Sequence, residues 1–263
     1  MGNHPTPSAA YWEFFENFNA KDPVGWAGAM SYPHVRVSAA RPPTRGAGPS
    51  PRTASGVYPT ADDYASMATR AGWERFETTG WVRTQGITPL VVAASETKVH
   101  LSGGWTRHRA DDSEIITNRV LYVLTRLDQG WGIQARFGID GYAKGADRSA
   151  QSEAALAALG RTMSTLEPGD VDNWLGTFHY PLTLIGAPGE VSVVEDAEAM
   201  RAAYGDWAGE ALPIDYTADV IAAGQNGVTL SQSITRGDDS FHQSFLVAEG
   251  DGGWKILAVS AIT

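Results

Sequence analysis

The chain has 263 residues, enough for one large or two small domains at about 100–200 residues each, and 43% hydrophobic with 19% charged residues is the balance of a folded globular protein. The absence of cysteine excludes disulfides, zinc–thiolate centres, iron–sulfur clusters and thiol nucleophiles, and a net charge of -10 argues against a nucleic-acid partner, because phosphate binding needs a basic face. No window nears the roughly 18 uninterrupted apolar residues of a membrane span, and Met1-Gly2-Asn3-His4-Pro5 lacks the basic-then-apolar layout of a secretory leader, so no membrane partner and a cytoplasmic location are expected.

In chain order, Tyr11, Phe14, Phe15 and Phe18 fall at i, i+3, i+4 and i+7, the spacing of one helical face. A strand is expected from Pro33, and the Pro-, Gly- and Arg-rich stretch at about 39–59 reads as an irregular loop. Thr60 with Asp63 three residues on is a helix-start signal, and Tyr64, Met67, Ala68 and Ala71 continue as a stripe expected to end near Gly72. Strand composition follows at Thr88 to Ala94, Lys98 to Arg109, Ile115 to Leu127 and Trp131 to Ile139, with turn-forming Ala110-Asp111-Asp112-Ser113 and Asp128-Gln129-Gly130 between them. The order then begins again. Leu159, Met163 and Leu166 share a helical face, a second helix runs from about Glu195 to Tyr204, and strands are expected at Tyr216 to Ala223, Val228 to Arg236, Phe241 to Ala248 and Trp254 to Ile262.

The recurrence extends to individual residues. Asp22, Trp26, Tyr32 and Pro33 return at one constant offset as Asp170, Trp174, Tyr180 and Pro181, and Gly130-Trp131 returns as Gly253-Trp254. A tandem repeat of an α+β unit is therefore expected, with domains at 1–147 and 148–263 and a loop insertion in the first.

The run Phe14-Phe15-Glu16-Asn17-Phe18-Asn19-Ala20-Lys21-Asp22, the following Trp26 and Tyr32-Pro33-His34-Val35, Lys98-Val99-His100 and the closing Trp131-Gly132-Ile133-Gln134-Ala135-Arg136 resemble the nuclear-transport-factor-2-like superfamily. That superfamily includes SnoaL-like polyketide cyclases, ketosteroid isomerase and scytalone dehydratase, and the first copy looks like a bacterial branch of it. The resemblance covers most of each copy and implies two cone-shaped domains, each with N-terminal helices packed on a curved, mostly antiparallel sheet. Members commonly pair through the outer face of the sheet, so a tandem chain looks like a dimer fused into one polypeptide, a monomeric pseudo-dimer or a loose homo-oligomer. Fold alone does not assign an activity, and no cofactor is implied.

Comparing the copies separates scaffold from candidate site. The first carries His34, Arg36, His100, Trp105 and Arg136 where the second carries Leu182, Leu184, Thr229, Ile234 and Val259, so the site is expected in the first. His34 and His100 are the candidate proton-transfer groups, since imidazole titrates near neutral pH. An isomerase or dehydratase of the superfamily would pair such a base with a group holding an enolate oxygen, a part open to Tyr122 and Asn118. Tyr11, Phe15 and Trp105 are candidate wall residues, and Arg107 and Arg136 candidate anion-binding forks. Strand alternation puts His100 and His108 on the face opposite Trp105, Arg107 and Arg109, so only one set lines the cone, and a bulge at Gly103-Gly104 would invert the assignment. Residues 1–147 hold 15 basic against 14 acidic side chains, and 148–263 hold 5 against 16, a net +1 beside a net -11. No histidine pair has metal-ligand spacing. Two readings stay open: a pocket for a small organic molecule with a carbonyl or anionic group, with isomerase, dehydratase or cyclase-type proton transfer as its catalytic form, or a non-catalytic binding or assembly module.

Overall fold

The computed structural model of the protein describes residues 3–39, 55–67, 70–139, 141–166, 169–209, 215–236 and 239–262. Helix α1 (Pro7–Asn19) starts where the Thr6 side chain accepts from the Ala9 amide, and it buries the expected face of Tyr11, Phe14, Phe15 and Phe18. Asp22 caps the short helix α2 (Pro23–Gly28) by accepting from the amides of Val24 and Gly25, both at 3.0 Å. Trp26, held by that turn, packs against Phe18 and Tyr64. Strands β1 (Met30–Ser38) and β2 (Ser55–Tyr58) form an antiparallel pair. Helices α3 (Ala61–Met67) and α4 (Arg70–Glu77) follow, then β3 (Arg83–Gly86), β4 (Leu90–Ala94), β5 (Lys98–His108), β6 (Glu114–Leu127) and β7 (Gly130–Gly138). The sheet order is β2-β1-β7-β6-β5-β3, with β4 also on β5, and only β1 beside β7 is parallel.

The second half repeats this plan. Helices α5 (Ser149–Leu166) and α6 (Val171–Leu175) precede β8 (Phe178–Ile185), β9 (Val191–Val194), α7 (Ala197–Gly209), β10 (Asp215–Ala223), β11 (Gly227–Arg236), β12 (Asp239–Gly250) and β13 (Gly253–Ile262). Its sheet runs β10-β11-β12-β13-β8-β9, again with one parallel pair, β13 beside β8. Asp170 caps α6 as Asp22 caps α2, Trp174 is buried like Trp26, and both Tyr32–Pro33 and Tyr180–Pro181 are cis. The repeated residues are therefore those that cap the second turn, anchor it in the core and enter the first strand.

Three local expectations differ from the fold. Thr60 and Asp63 do cap one another reciprocally, with the Asp63 amide donating to Thr60 Oγ1 at 3.2 Å, but helical structure does not end at Gly72. It continues in α4 to Glu77, because Trp73 and Phe76 pack beside Phe18 and the Trp73 indole donates to the Phe18 carbonyl. The stretch expected as a loop at 39–59 ends in strand β2, whose residues Ser55 to Tyr58 pair with Val37 to His34; residues 40–54 lie outside the described residues. β3 was not expected, since Arg83-Thr84-Gln85-Gly86 has no apolar alternation, and its strand conformation comes from pairing with the end of β5.

The two sheets meet through their outer faces. Val35, Val37, Leu121, Val123 and Phe137 of the first share one buried cluster with Ile185, Leu246 and Ala258 of the second. Lys98 reaches across to the carbonyls of Gly186 and Ala261, the latter at 2.8 Å, and its burial pushes the pKa down to about 8. Among the described residues no helix is long and apolar enough to cross a membrane.

Candidate functional site

The direction of each β5 side chain follows from its pairing with β6, which runs unbroken from Lys98↔Thr125 to Arg107↔Ile116. Gly104 has φ 145° and an added Cβ would lie 2.2 Å from the Asn118 carbonyl oxygen, so only glycine fits, but there is no bulge here and parity is kept. Val99, Leu101 and Trp105 consequently pack with α1 inside the first unit. His100 points the other way. Its Nδ1 lies 2.9 Å from Ser244 Oγ and its Nε2 2.8 Å from Ser260 Oγ, both in the second unit. Burial, helped by Lys98 and His242, pushes its pKa down to about 3, so it is a neutral hydrogen-bonding tie between the sheets and is not brought together with His34.

Inside the first unit, register builds a polar cluster from elements distant in sequence. Arg36 of β1 is the lateral neighbour of Arg136 of β7, which neighbours Tyr122 of β6. The Arg136 guanidinium is buried, 4.8 Å from the Phe14 ring centre and 5.5 Å from that of Tyr122. Burial opposes its charge, while the oxygens of Tyr122 and Tyr64 more than offset this and keep it a cation. Arg107 stacks 3.8 Å over Phe76 and 4.6 Å over Trp105. Burial, then Arg136 and Arg36, push its pKa down to about 10, which marks three guanidiniums repelling one another. None of the ion pairs found among the described residues involves any of the three.

His34 sits at the edge of this cluster, its ring 4.8 Å from Tyr64. Its Nδ1 lies 2.7 Å from the Ile133 carbonyl oxygen, and because a carbonyl only accepts, Nδ1 carries the proton and Nε2 presents a lone pair. Burial first, and Arg136 and Arg36 in addition, push the pKa down to about 3. Among the described residues, His34 Nε2, Arg107 Nε and Arg136 Nε are buried without a hydrogen-bond partner, while the buried Tyr64 and Tyr122 hydroxyls lie against the Arg136 guanidinium without reaching good hydrogen-bond geometry. Native interiors leave few such atoms, so their concentration beside three guanidiniums sets this part of the first unit apart from the rest of its core.

The other sequence candidates divide. Tyr11 is a latch: its hydroxyl donates to the Ile87 carbonyl at 2.6 Å, with the Gly104 carbonyl at 3.1 Å, tying α1 to the sheet. Phe15 packs edge-on against Tyr11 as core. Asn118 accepts from the Arg119 amide at 2.9 Å, beside Trp105 across the strands. Tyr64 escaped the sequence reading as a candidate; it showed only as the first apolar position of a helix, and nothing local distinguishes a core tyrosine from one facing Arg136 and Arg36. No cluster of metal-ligating side chains occurs among the described residues.

No family model matches the chain, and no curated protein matches it significantly. Solved structures are similar to under half of it. An NTF2-like protein of unknown function from Shewanella oneidensis has 16% identity and a TM-score of 0.36, covering 42% of this chain and 98% of its own. An NTF2-like protein from Cytophaga hutchinsonii has 22% identity and a TM-score of 0.36, covering 43% and 98%. A ketosteroid isomerase-like protein from Erwinia carotovora atroseptica has 15% identity and a TM-score of 0.34, covering 44% and 98%.

Proposed function

We propose that the chain is a pair of NTF2-like, SnoaL-like domains, 1–147 and 148–263, fused as a pseudo-dimer, and that the first binds a small organic molecule through an anionic or carbonyl group. The observation carrying this reading is the group Arg36, Arg107 and Arg136: three mutually repelling guanidiniums around buried phenols, with no carboxylate partner among the described residues. A carboxylate or phosphate ester would cancel that repulsion and accept from the forks, while Trp105, Phe76 and Phe14 supply apolar contact for the rest of the ligand. Binding comes first in this reading and proton transfer second. A general base works best with a pKa near the working pH, and His34 at about 3 is far below it. A bound anion would remove the contribution of Arg136 and Arg36 to that depression, but burial, the larger cause, would persist. A thermal-shift screen of organic carboxylates and phosphate esters against their neutral amides and alcohols tests the proposal. Anionic members should raise the melting temperature and neutral counterparts should not; equal shifts from both sets would defeat the reading.

A further inference from the structure

The interior of the second unit lacks two of the three arginines of the first, since Leu184 and Val259 stand at the positions of Arg36 and Arg136. It holds instead a cavity of about 380 Å³, open to solvent on one side and within the roughly 300–1,000 Å³ of small-molecule sites. Leu166, Trp174, Phe178, Leu184 and Val259 wall it, and no charged side chain lines it among the described residues. An ion entering would lose its hydration without a partner, in a half of the chain that already carries 16 acidic against 5 basic residues.

Two features give the cavity an orientation. Met200, Tyr204 and Trp207 of α7 fall at i, i+4 and i+7 on one helical face, and all three line it. Met200 is buried while Tyr204 and Trp207 remain 37% and 45% exposed, so this face runs from the floor to an aromatic mouth, where Trp207 meets Trp174 edge-on. On the sheet side, Gln243 lines the cavity, and its cross-strand neighbour Gln232 is fully buried with neither amide atom hydrogen-bonded. Gln232 itself does not line the cavity; the carboxamide presented there is that of Gln243, and a neutral group able to donate and accept matches both of its polar atoms.

We propose that this cavity is a second binding site, for a neutral, mostly apolar small molecule carrying one hydrogen-bonding group such as a hydroxyl, arylamine or carboxamide. The site is independent of the arginine cluster and differs from it in ligand class. The full chain is titrated with N-phenyl-1-naphthylamine, a neutral probe with one N–H, and separately with 8-anilinonaphthalene-1-sulfonate, which places a sulfonate on the same framework. Saturable fluorescence enhancement is expected with the neutral probe. Val259→Trp, which fills the cavity, should weaken it at least tenfold, and Gln243→Leu several-fold. Trp207→Ala, at a 45% exposed position where truncation removes little core, should also weaken it several-fold and serves if Val259→Trp does not fold. The proposal is overturned if wild type shows no saturable binding of the neutral probe, or if correctly folded Val259→Trp or Trp207→Ala binds it as wild type does. It is also overturned if the sulfonate probe occupies the same Val259- and Trp207-dependent site with equal affinity, since that would make the cavity an anion site. Because the anion screen of the first unit uses other ligands, the two proposals fail separately.

Discussion

Replacing Arg136 by methionine separates a binding guanidinium from a structural one. The substitution keeps an unbranched side chain and removes the charge. The stacking on Phe14 and on Tyr122 is lost, each about 0.5–2 kcal/mol in a desolvated setting, together with the favourable interaction with the Tyr122 and Tyr64 oxygens. Against this, the fold no longer carries the desolvation cost of a buried guanidinium, on the order of several kcal/mol per ion. Relief of the repulsion with Arg107 and Arg36 acts in the same direction. The two sums nearly cancel, so without ligand Arg136→Met should unfold in urea within about 2 kcal/mol of wild type. With an anionic hit at about 100 times its dissociation constant, wild type should gain about 2.7 kcal/mol and the variant almost nothing. The assay is urea unfolding followed by circular dichroism, with and without ligand. A loss above about 3 kcal/mol without ligand would show that Arg136 is a strut, as breaking a satisfied buried pair does. Equal stabilisation of both proteins by the anion would place the site elsewhere.

Acid should destabilise the fold through the fully buried His34 and His100. His34 and His100 have folded pKa values of about 3 against about 6.5 unfolded, so below about pH 6.5 the unfolded chain takes up protons that the fold refuses. Stability should then fall by about 1.4 kcal/mol per pH unit for each histidine down to about pH 3, with no contribution above pH 6.5, and His34→Gln should remove one of the two slopes; a flat urea-unfolding profile between about pH 7 and 5 would contradict this. Asp22→Ala and Asp170→Ala should each cost about 0.5–2 kcal/mol, because each removes the cap of an equivalent short helix, and a cost confined to one would break the equivalence of the repeats. Gly104→Ala should cost at least about 1–3 kcal/mol, since the residue sits at φ 145° with a backbone oxygen 2.2 Å from the added Cβ; a variant melting with wild type would mean the strand pair shifts freely there.

The sequence by itself determined the repeat, the helix faces and most of the strands. These features are written in short windows: Tyr11 to Phe18 share a face whatever they pack against, and Asp22 and Asp170 cap their turns with amides two and three residues away. Local pattern also showed that His100 and Trp105 lie on opposite faces of β5, and it stopped there. Which face turns inward was decided by the continuous β5–β6 register and by the second sheet, whose Ser244 and Ser260 lie 144 and 160 residues from His100. The arginine cluster was decided in the same way. Arg36 and Arg136 become neighbours only because β1 lies parallel to β7, and Tyr64 meets them only because α3 folds back under Trp26. Short-range periodicity is set by the bond geometry of each residue, whereas register and the convergence of distant side chains depend on the summed packing of the whole sheet, which no window of sequence contains.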